Sequence, residues 1–579
     1  RPVSITRRKS NHMKSLKVLL AATLIVPCSL IAQVPIATFE GDELKIPSLN
    51  LNDQNYKNLV VKYLGGMDFD VTQFQETTDP IIHYASKFES GKLVVNALEL
   101  GEEIYADLLF DYAGGTSLKL GSFKGPVKEL SFKQTDFLLV EPKEWKTNER
   151  VRSSIDYSFV NNRSEGLLND FPLIDIDRDG LKDLLIVGTK YDQGFVDEAV
   201  PLRWLRNTGD GFEIGDSAIF PASSARRLLF NMWVADFNND GFDDFFGPST
   251  GHDKYPFIGE ANLLLLSDGA KGYKDVSIGD PNFDYLGYTH GSGIGDINND
   301  GNIDIVTVDN CTPQNQIGVR ILVNDGKGEF TQAKVQKNTE LGELCPGWMV
   351  ALIDLNNDGY DELVVGSHAF EVKEDRIYWN DKSGEFDLSK YTSLPNFETF
   401  DGKSLNDTLS IYGTDVNYDG LVDIVMSKSE RYIGKGIQFL INNGDRTFSD
   451  ETATYSPLAN IETGNANVSL IPWQIKEVDI NNDGFLDIRF AYDKEHSYNP
   501  LNGNFKNHSY FWIKQKDGSY EELSTETLNQ KGWFWLIDYD EDGDIDLINR
   551  SSRFQQRSGE ESYLLDEIFE WRILENESL

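Results

Sequence analysis

DIDRDGLKDLL, Asp175 to Leu185, sets aspartates at positions 1, 3, 5 and 9 of a nine-residue run and puts a glycine at position 6. Like charges this close repel unless they are fully solvated or share a cation. The spacing points to the cation. Side chains at 1, 3 and 5 converge, the glycine permits a sharp turn, residue 7 offers its carbonyl, and an acid at 9 closes the cage. All the donors are oxygens, with no Cys or His, so the ion is hard and takes many ligands, calcium before magnesium. An EF-hand would need Glu at position 12 and helices on both sides. Here Ile186 stands at 12, and the flanks FPLI and DLLIVG read as strands, so the loop joins two strands.

The motif occurs seven times, and each copy nominates the same five positions as metal ligands. They are Asp175, Asp177, Asp179, Leu181 and Asp183 in the first copy; Asp236, Asn238, Asp240, Phe242 and Asp244 in the second; and Asp296, Asn298, Asp300, Asn302 and Asp304 in the third. The fourth has Asp354, Asn356, Asp358, Tyr360 and Glu362, and the fifth Asp415, Asn417, Asp419, Leu421 and Asp423. The sixth has Asp479, Asn481, Asp483, Phe485 and Asp487, and the seventh Asp538, Asp540, Asp542, Asp544 and Asp546. Successive copies start 61, 60, 58, 61, 64 and 59 residues apart, a period steady enough to be a repeat architecture. In each period an apolar run enters the motif and another leaves it. After a variable loop comes a hairpin such as VRILVNDGKGEFTQA or QFLINNGDRTFSD. Four strands per unit and seven units predict an all-β chain with a seven-bladed β-propeller, a ring that leaves only short edges.

The repeated pattern apolar-D-x-[DN]-x-D-G-x-x-D-[LI] resembles the FG-GAP or VCBS repeats of bacterial extracellular proteins and of the integrin α-chain propeller, over roughly residues 150 to 579. The resemblance implies Ca²⁺ held by side chains at positions 1, 3, 5 and 9, up to seven ions in all. Integrin-type propellers fill only some blades, whereas all seven copies here have a ligand set, the fourth with Glu362 in place of Asp. The function implied is extracellular binding or adhesion.

Upstream of the repeats, residues 1–32 read as an upstream extension and a signal peptide, with MKSLKVLLAATLIVPCSLIA at 13–32 supplying a basic start, an apolar stretch and Ala32. The expectation is a secreted or cell-surface protein. Lipidation at Cys28, giving an outer-membrane lipoprotein, is the alternative, with Pro27 against it. No later stretch approaches ~18 apolar residues, so no transmembrane segment is expected. Residues 33–125 form a small duplicated β domain, because Glu43–Gly66 aligns without gaps on Lys92–Gly115 at an offset of 49. Residues 126–168 are a linker and closing strand, and 169–579 the propeller. The last blade ends in EIFEWRIL with only ENESL after it, too short for another strand. A segment before the first blade should therefore complete the ring, with Arg152–Asn162 the best alternating candidate.

The formal charge of −40 becomes −46 without the first 32 residues, which hold six basic groups and no acidic ones; seven Ca²⁺ would bring it to −32. Nucleic acid is a poor partner for such a surface, while glycans and proteins are allowed. No G-x-S-x-G, H-E-x-x-H or P-loop is present, and 23 carboxylates are committed to the motifs. An enzyme is therefore not the first expectation. A polysaccharide lyase or hydrolase on the same scaffold is the alternative, since fold does not decide function. The ligand face is expected opposite the metal loops. His252, His290, His368 and His496 fall there, and so do bulky residues before the motifs: Phe230, Trp348, Trp473 and Trp533. Cys311 and Cys345 lie in loops of one face and are expected to form a disulfide, which an exported compartment permits.

Overall fold

The computed structural model describes residues 36–578 apart from short breaks and the longer stretches 141–148, 152–164, 167–172, 310–317, 337–348, 369–373, 399–403, 457–470, 494–510, 524–532 and 557–563. Residues 1–32, Cys311, Cys345, Phe230, Trp348, His496 and Arg152–Asn162 lie outside the described residues, as do the side chains of Trp473 and Trp533. Among the described residues no helix is long and apolar enough to cross a membrane.

The N-terminal duplication closes into a barrel. Its strands are β1 (Ala37–Glu40), β2 (Glu43–Leu51), β3 (Gln54–Gly65), β4 (Asp68–Glu76), β5 (Ser86–Glu89), β6 (Lys92–Leu100), β7 (Glu103–Gly114) and β8 (Ser117–Lys124). Each repeat is an antiparallel meander, and β4 pairs with β8. Closure comes from an exchange in which β1 runs parallel to β6 of the other repeat and β5 parallel to β2. Strands β1 and β5 thus lie end to end in one stave of a seven-stave barrel. Alternate residues, among them Leu44, Ile46, Leu59, Val61, Leu93, Val95, Leu108 and Phe110, point inward and fill it.

Six four-stranded antiparallel sheets and a seventh completed by strands from upstream follow. Blade one consists of Leu173–Ile174, Asp183–Ile186, Arg203–Asn207 and Phe212–Ile214, and the same order recurs through blade six, which ends at Tyr520–Glu522. The second strand of blades one to four is buried along its whole length, as Asp183–Ile186, Asp244–Gly247, Asp304–Asp309 and Glu362–Val365 show. A strand covered on both faces reads as a continuous apolar run, and these do. The aromatic that follows each hairpin turn, such as Phe330, Phe448 or Tyr520, packs into a cluster shared with a neighbouring blade. Blade four departs from the hairpin expected in each period, here over RIYWNDKSGEFDL, Arg376 to Leu388. Phe386–Asp387 pairs in parallel with Val335–Gln336, and the fourth strand is Thr392–Ser393. Phe386 is drawn into the core between blades three and four beside Leu363 and Tyr378, and the chain must travel further before it returns to the edge.

Blade seven (Trp533–Ile537, Asp546–Gln556, Leu564–Asn576) ends the described chain with three strands. Its outer edge is completed by β9 (Phe132–Gln134), β10 (Leu139–Val140) and β11 (Glu149–Val151), all antiparallel to the last strand. The described closing strands therefore precede the ring, within the expected 126–168 segment, while the Arg152–Asn162 stretch expected in that role lies outside the described residues.

Candidate metal centres and the opposite face

Each motif folds into the same loop between the first and second strands. The aspartate at position 1 accepts the N–H groups of positions 5 and 6: Asp236 Oδ1 from Asp240 at 3.0 Å, and Oδ2 from Gly241 at 2.8 Å. The aspartate at position 5 accepts from the N–H of position 7, as Asp240 does from Phe242 at 2.9 Å. Position 4 is left-handed, with φ near 55° at Asn239 and Asn299, and Gly241 at position 6 has φ 86°. Asparagine tolerates the first and glycine the second, and N-D-G recurs accordingly. Asn298, Asn417 and Asn481 at position 3 accept the position-5 N–H and donate Nδ2 to the position-5 carboxylate.

The acid at position 9 is buried in all seven blades. One of its oxygens accepts the N–H of position 2, and in six blades the other accepts the N–H of a residue at the end of the third strand. Asp304 takes Ile297 at 3.0 Å and Asn324 at 2.7 Å; Asp423 takes Val416 at 2.8 Å and Asn442 at 2.7 Å. Burial, with nearby carboxylates adding to it, pushes Asp183, Asp244, Asp304 and Asp423 up to about 7, and Glu362 and Asp546 up to about 8. The third-strand residue then reaches across to the preceding blade. Asn324 Nδ2 donates to Phe237 O at 2.8 Å, Asn380 to Ile297 O at 2.7 Å, Asn442 to Leu355 O at 2.8 Å, Asn576 to Ile480 O at 2.9 Å and Asn207 to Tyr539 O at 3.2 Å. In blade six Lys514 takes this place, its Nζ on Val416 O at 2.5 Å and burial pushing it down to about 8. The sequence signal was visible in the recurring Asn of VNDG, WNDK and INNG, but those residues read simply as turn formers.

Among the described residues, two loops bring three carboxylates within 4.8 Å of one another: Asp175, Asp177 and Asp183 in blade one, and Asp538, Asp540 and Asp542 in blade seven. In both, a buried carboxylate oxygen has no hydrogen-bond partner, Oδ1 of Asp177 and Oδ1 of Asp538. Such an orphan is costly unless something positive meets it, and an all-oxygen donor set suits a hard cation.

The barrel packs over this face at blades five to seven. His83 Nε2 lies 3.2 Å from Thr414 Oγ1 and its ring packs edge-on to Tyr418, while Lys516 pairs with Glu99 at 2.7 Å. A Cβ at Gly484, position 6 of the blade-six motif, would come within 2.6 Å of the Ala97 Cβ. The opposite face carries the described candidate histidines. His290 lies beside Tyr288, whose ring packs on Phe257, and His368 from blade four is near enough to add to the burial that pushes His290 down to about 3. His252 sits in the same blade-two loop as Ile258 and donates its backbone N–H to Ile258 O. Beside them Ile258 and Leu286 stand 52% and 68% exposed, on segments joined by Glu260 N–H to Gly287 O at 2.9 Å.

The FG-GAP-like repeat family matches residues 175–247, 296–365, 354–426 and 415–490. Mouse integrin alpha-3 is 30% identical over 142 residues, 23% of this chain and 13% of that protein's length. Among solved structures, a rhamnogalacturonan lyase PL11 from Bacillus licheniformis superposes at a TM-score of 0.36, with 10% identity over 94% of this chain and 91% of that one. An ancestral GH74 enzyme superposes at 0.30, with 9% identity over 95% and 74%.

Proposed function

Because the chain is an FG-GAP-like repeat protein with integrin-α-like repeats, we propose that it is an extracellular binding propeller stabilised by calcium, with its ligand, a glycan or a protein, taken on the face opposite the metal loops. The observation that carries the calcium reading is the pair of orphaned buried oxygens on Asp177 and Asp538, each within a three-carboxylate cluster. Positions 1, 3, 5 and 9 would supply side chains and position 7 its carbonyl. Calcium there would offset the repulsion among carboxylates, and the straps from position 9 would pass that order to the neighbouring strands. Export, expected from residues 13–32, would bring the chain to compartments where calcium is abundant.

The placement of the ligand is supported by the barrel, which covers metal loops of blades five to seven, and by the exposed pair Ile258 and Leu286 beside His252, Tyr288 and His290. Apolar surface with a few directed polar groups is what a sugar ring or a peptide needs. A glycan and protein array, probed in calcium and in chelator, tests this. Replacing His252, His290 and His368 together should abolish capture in a chain that still melts cooperatively in calcium. Binding that survives the triple change, or is lost only when metal-loop residues change, places the ligand elsewhere. Release of reducing or unsaturated ends from a polysaccharide panel would instead establish the carbohydrate-active alternative.

A further inference from the structure

Seven copies of one motif do not make seven equal sites. The residue just before each third-strand strap lies beside the loop. It is Arg206 in blade one, apolar in blades two to six (Leu266 in blade two, Ile513 in blade six) and Glu575 in blade seven. Arg206 Nε donates to Asp177 Oδ2 at 2.5 Å and Nη2 to Asp179 Oδ2 at 2.6 Å, so one planar fork holds two of the loop's carboxylates. Lys382 in blade four makes a looser contact, from a half-exposed side chain to Asp358 alone at 3.1 Å. Blade seven has the reverse balance, with aspartates at positions 1, 3, 5, 7 and 9 and Glu575 where blade one has arginine. Lys124 of the barrel lies over Gly543 in that loop, where its charge also reaches Asp538, and it is shared with Asp107 at 3.0 Å.

We infer that Arg206 is a built-in counter-ion that weakens the blade-one calcium site, cancelling the one ligand carboxylate by which it exceeds blades two to six, and that blade seven, with its extra carboxylates and no such fork, is the tightest. The inference rests on the calcium reading above. Asp175, Asp183 and the inward oxygen of Asp177 still form a cage in blade one, but part of its charge is already matched. Calcium affinity follows the charge of its ligands, and one fixed unit charge a few ångströms away in a partly exposed site changes it on the order of tenfold.

Stepwise calcium uptake by the calcium-stripped full chain, followed by native mass spectrometry and titration calorimetry, tests the order. Arg206→Gln should strengthen one step about tenfold, so that a second tight step appears beside the first, and Arg206→Lys much less, while Glu575→Arg should weaken the tightest step about tenfold. An unchanged set of steps in Arg206→Gln overturns the role of Arg206, and an unchanged tightest step in Glu575→Arg overturns the assignment of blade seven. Where Arg206→Gln does not fold, Arg206→Leu, which gives blade one the apolar residue that blade two has there, decides the role of Arg206 by the same readout. A folded wild-type chain that takes up no calcium at all is a separate result, and it removes the calcium reading itself.

Discussion

At Asn324 a single buried side chain works in three directions. Oδ1 accepts the N–H of Gly326 and so shapes the hairpin, while Nδ2 donates both to Ile303 O in its own loop and to Phe237 O in the preceding blade. Its backbone N–H meanwhile goes to Asp304. Asn442 repeats all four contacts. Truncating either to Ala would leave two buried carbonyls short of a donor, so Asn324→Ala and Asn442→Ala should each cost about 2 kcal/mol by chemical denaturation. Asn443→Ala, one residue along in an exposed turn, should stay within about 0.5 kcal/mol. Equal losses at Asn442 and Asn443 would mean the inter-blade straps contribute nothing beyond turn formation. The same local chemistry explains N-D-G in the metal loops, where left-handed backbone at position 4 and positive φ at position 6 select those residue types.

Among the elements, the last strand of blade seven is the most dependent on distant sequence. Leu564–Asn576 is thirteen residues long, and β9, β10 and β11 cover its outer edge only in segments. Without them a long edge would offer unpaired N–H and C=O groups to any other chain. A chain beginning at Asn169 should aggregate and lose cooperative melting, whereas one beginning at Val127, without the barrel but with all three closing strands, should remain soluble. A monodisperse, cooperatively melting chain from Asn169 would show that the edge needs no cover. Blade four shows a second dependence on a neighbour, since Phe386–Asp387 pairs in parallel with Val335–Gln336, after the last strand of blade three, instead of with its own third strand.

For the whole molecule, charge and architecture are joined. A chain of formal charge −40 gathers many carboxylates in seven loops on one face, tied around the ring by straps and capped over blades five to seven by the barrel. A metal that binds only the folded loops stabilises the folded state by linkage, and several sites act together. Excess EGTA should therefore lower the melting temperature by on the order of ten degrees or more, and added calcium should restore it. An identical melting curve with and without chelator would show acidic turns that are stable by solvation alone.

The period of about sixty residues, the ligand spacing, the N-D-G turns and the self-alignment at an offset of 49 are written in residue order, and from them the seven blades, the loop positions and the duplicated N-terminal unit could all be read. What the order of residues left open depends on long-range partners. Strands β1 and β5 had to exchange between repeats because each meander alone cannot cover its inner face. The closing strands were chosen by pairing with an edge more than four hundred residues away. The asparagine straps appear only when the third strand of one blade is brought beside the metal loop of the preceding one, a juxtaposition set by blade packing, and the fork of Arg206 only when the third strand of blade one folds back beside its own loop.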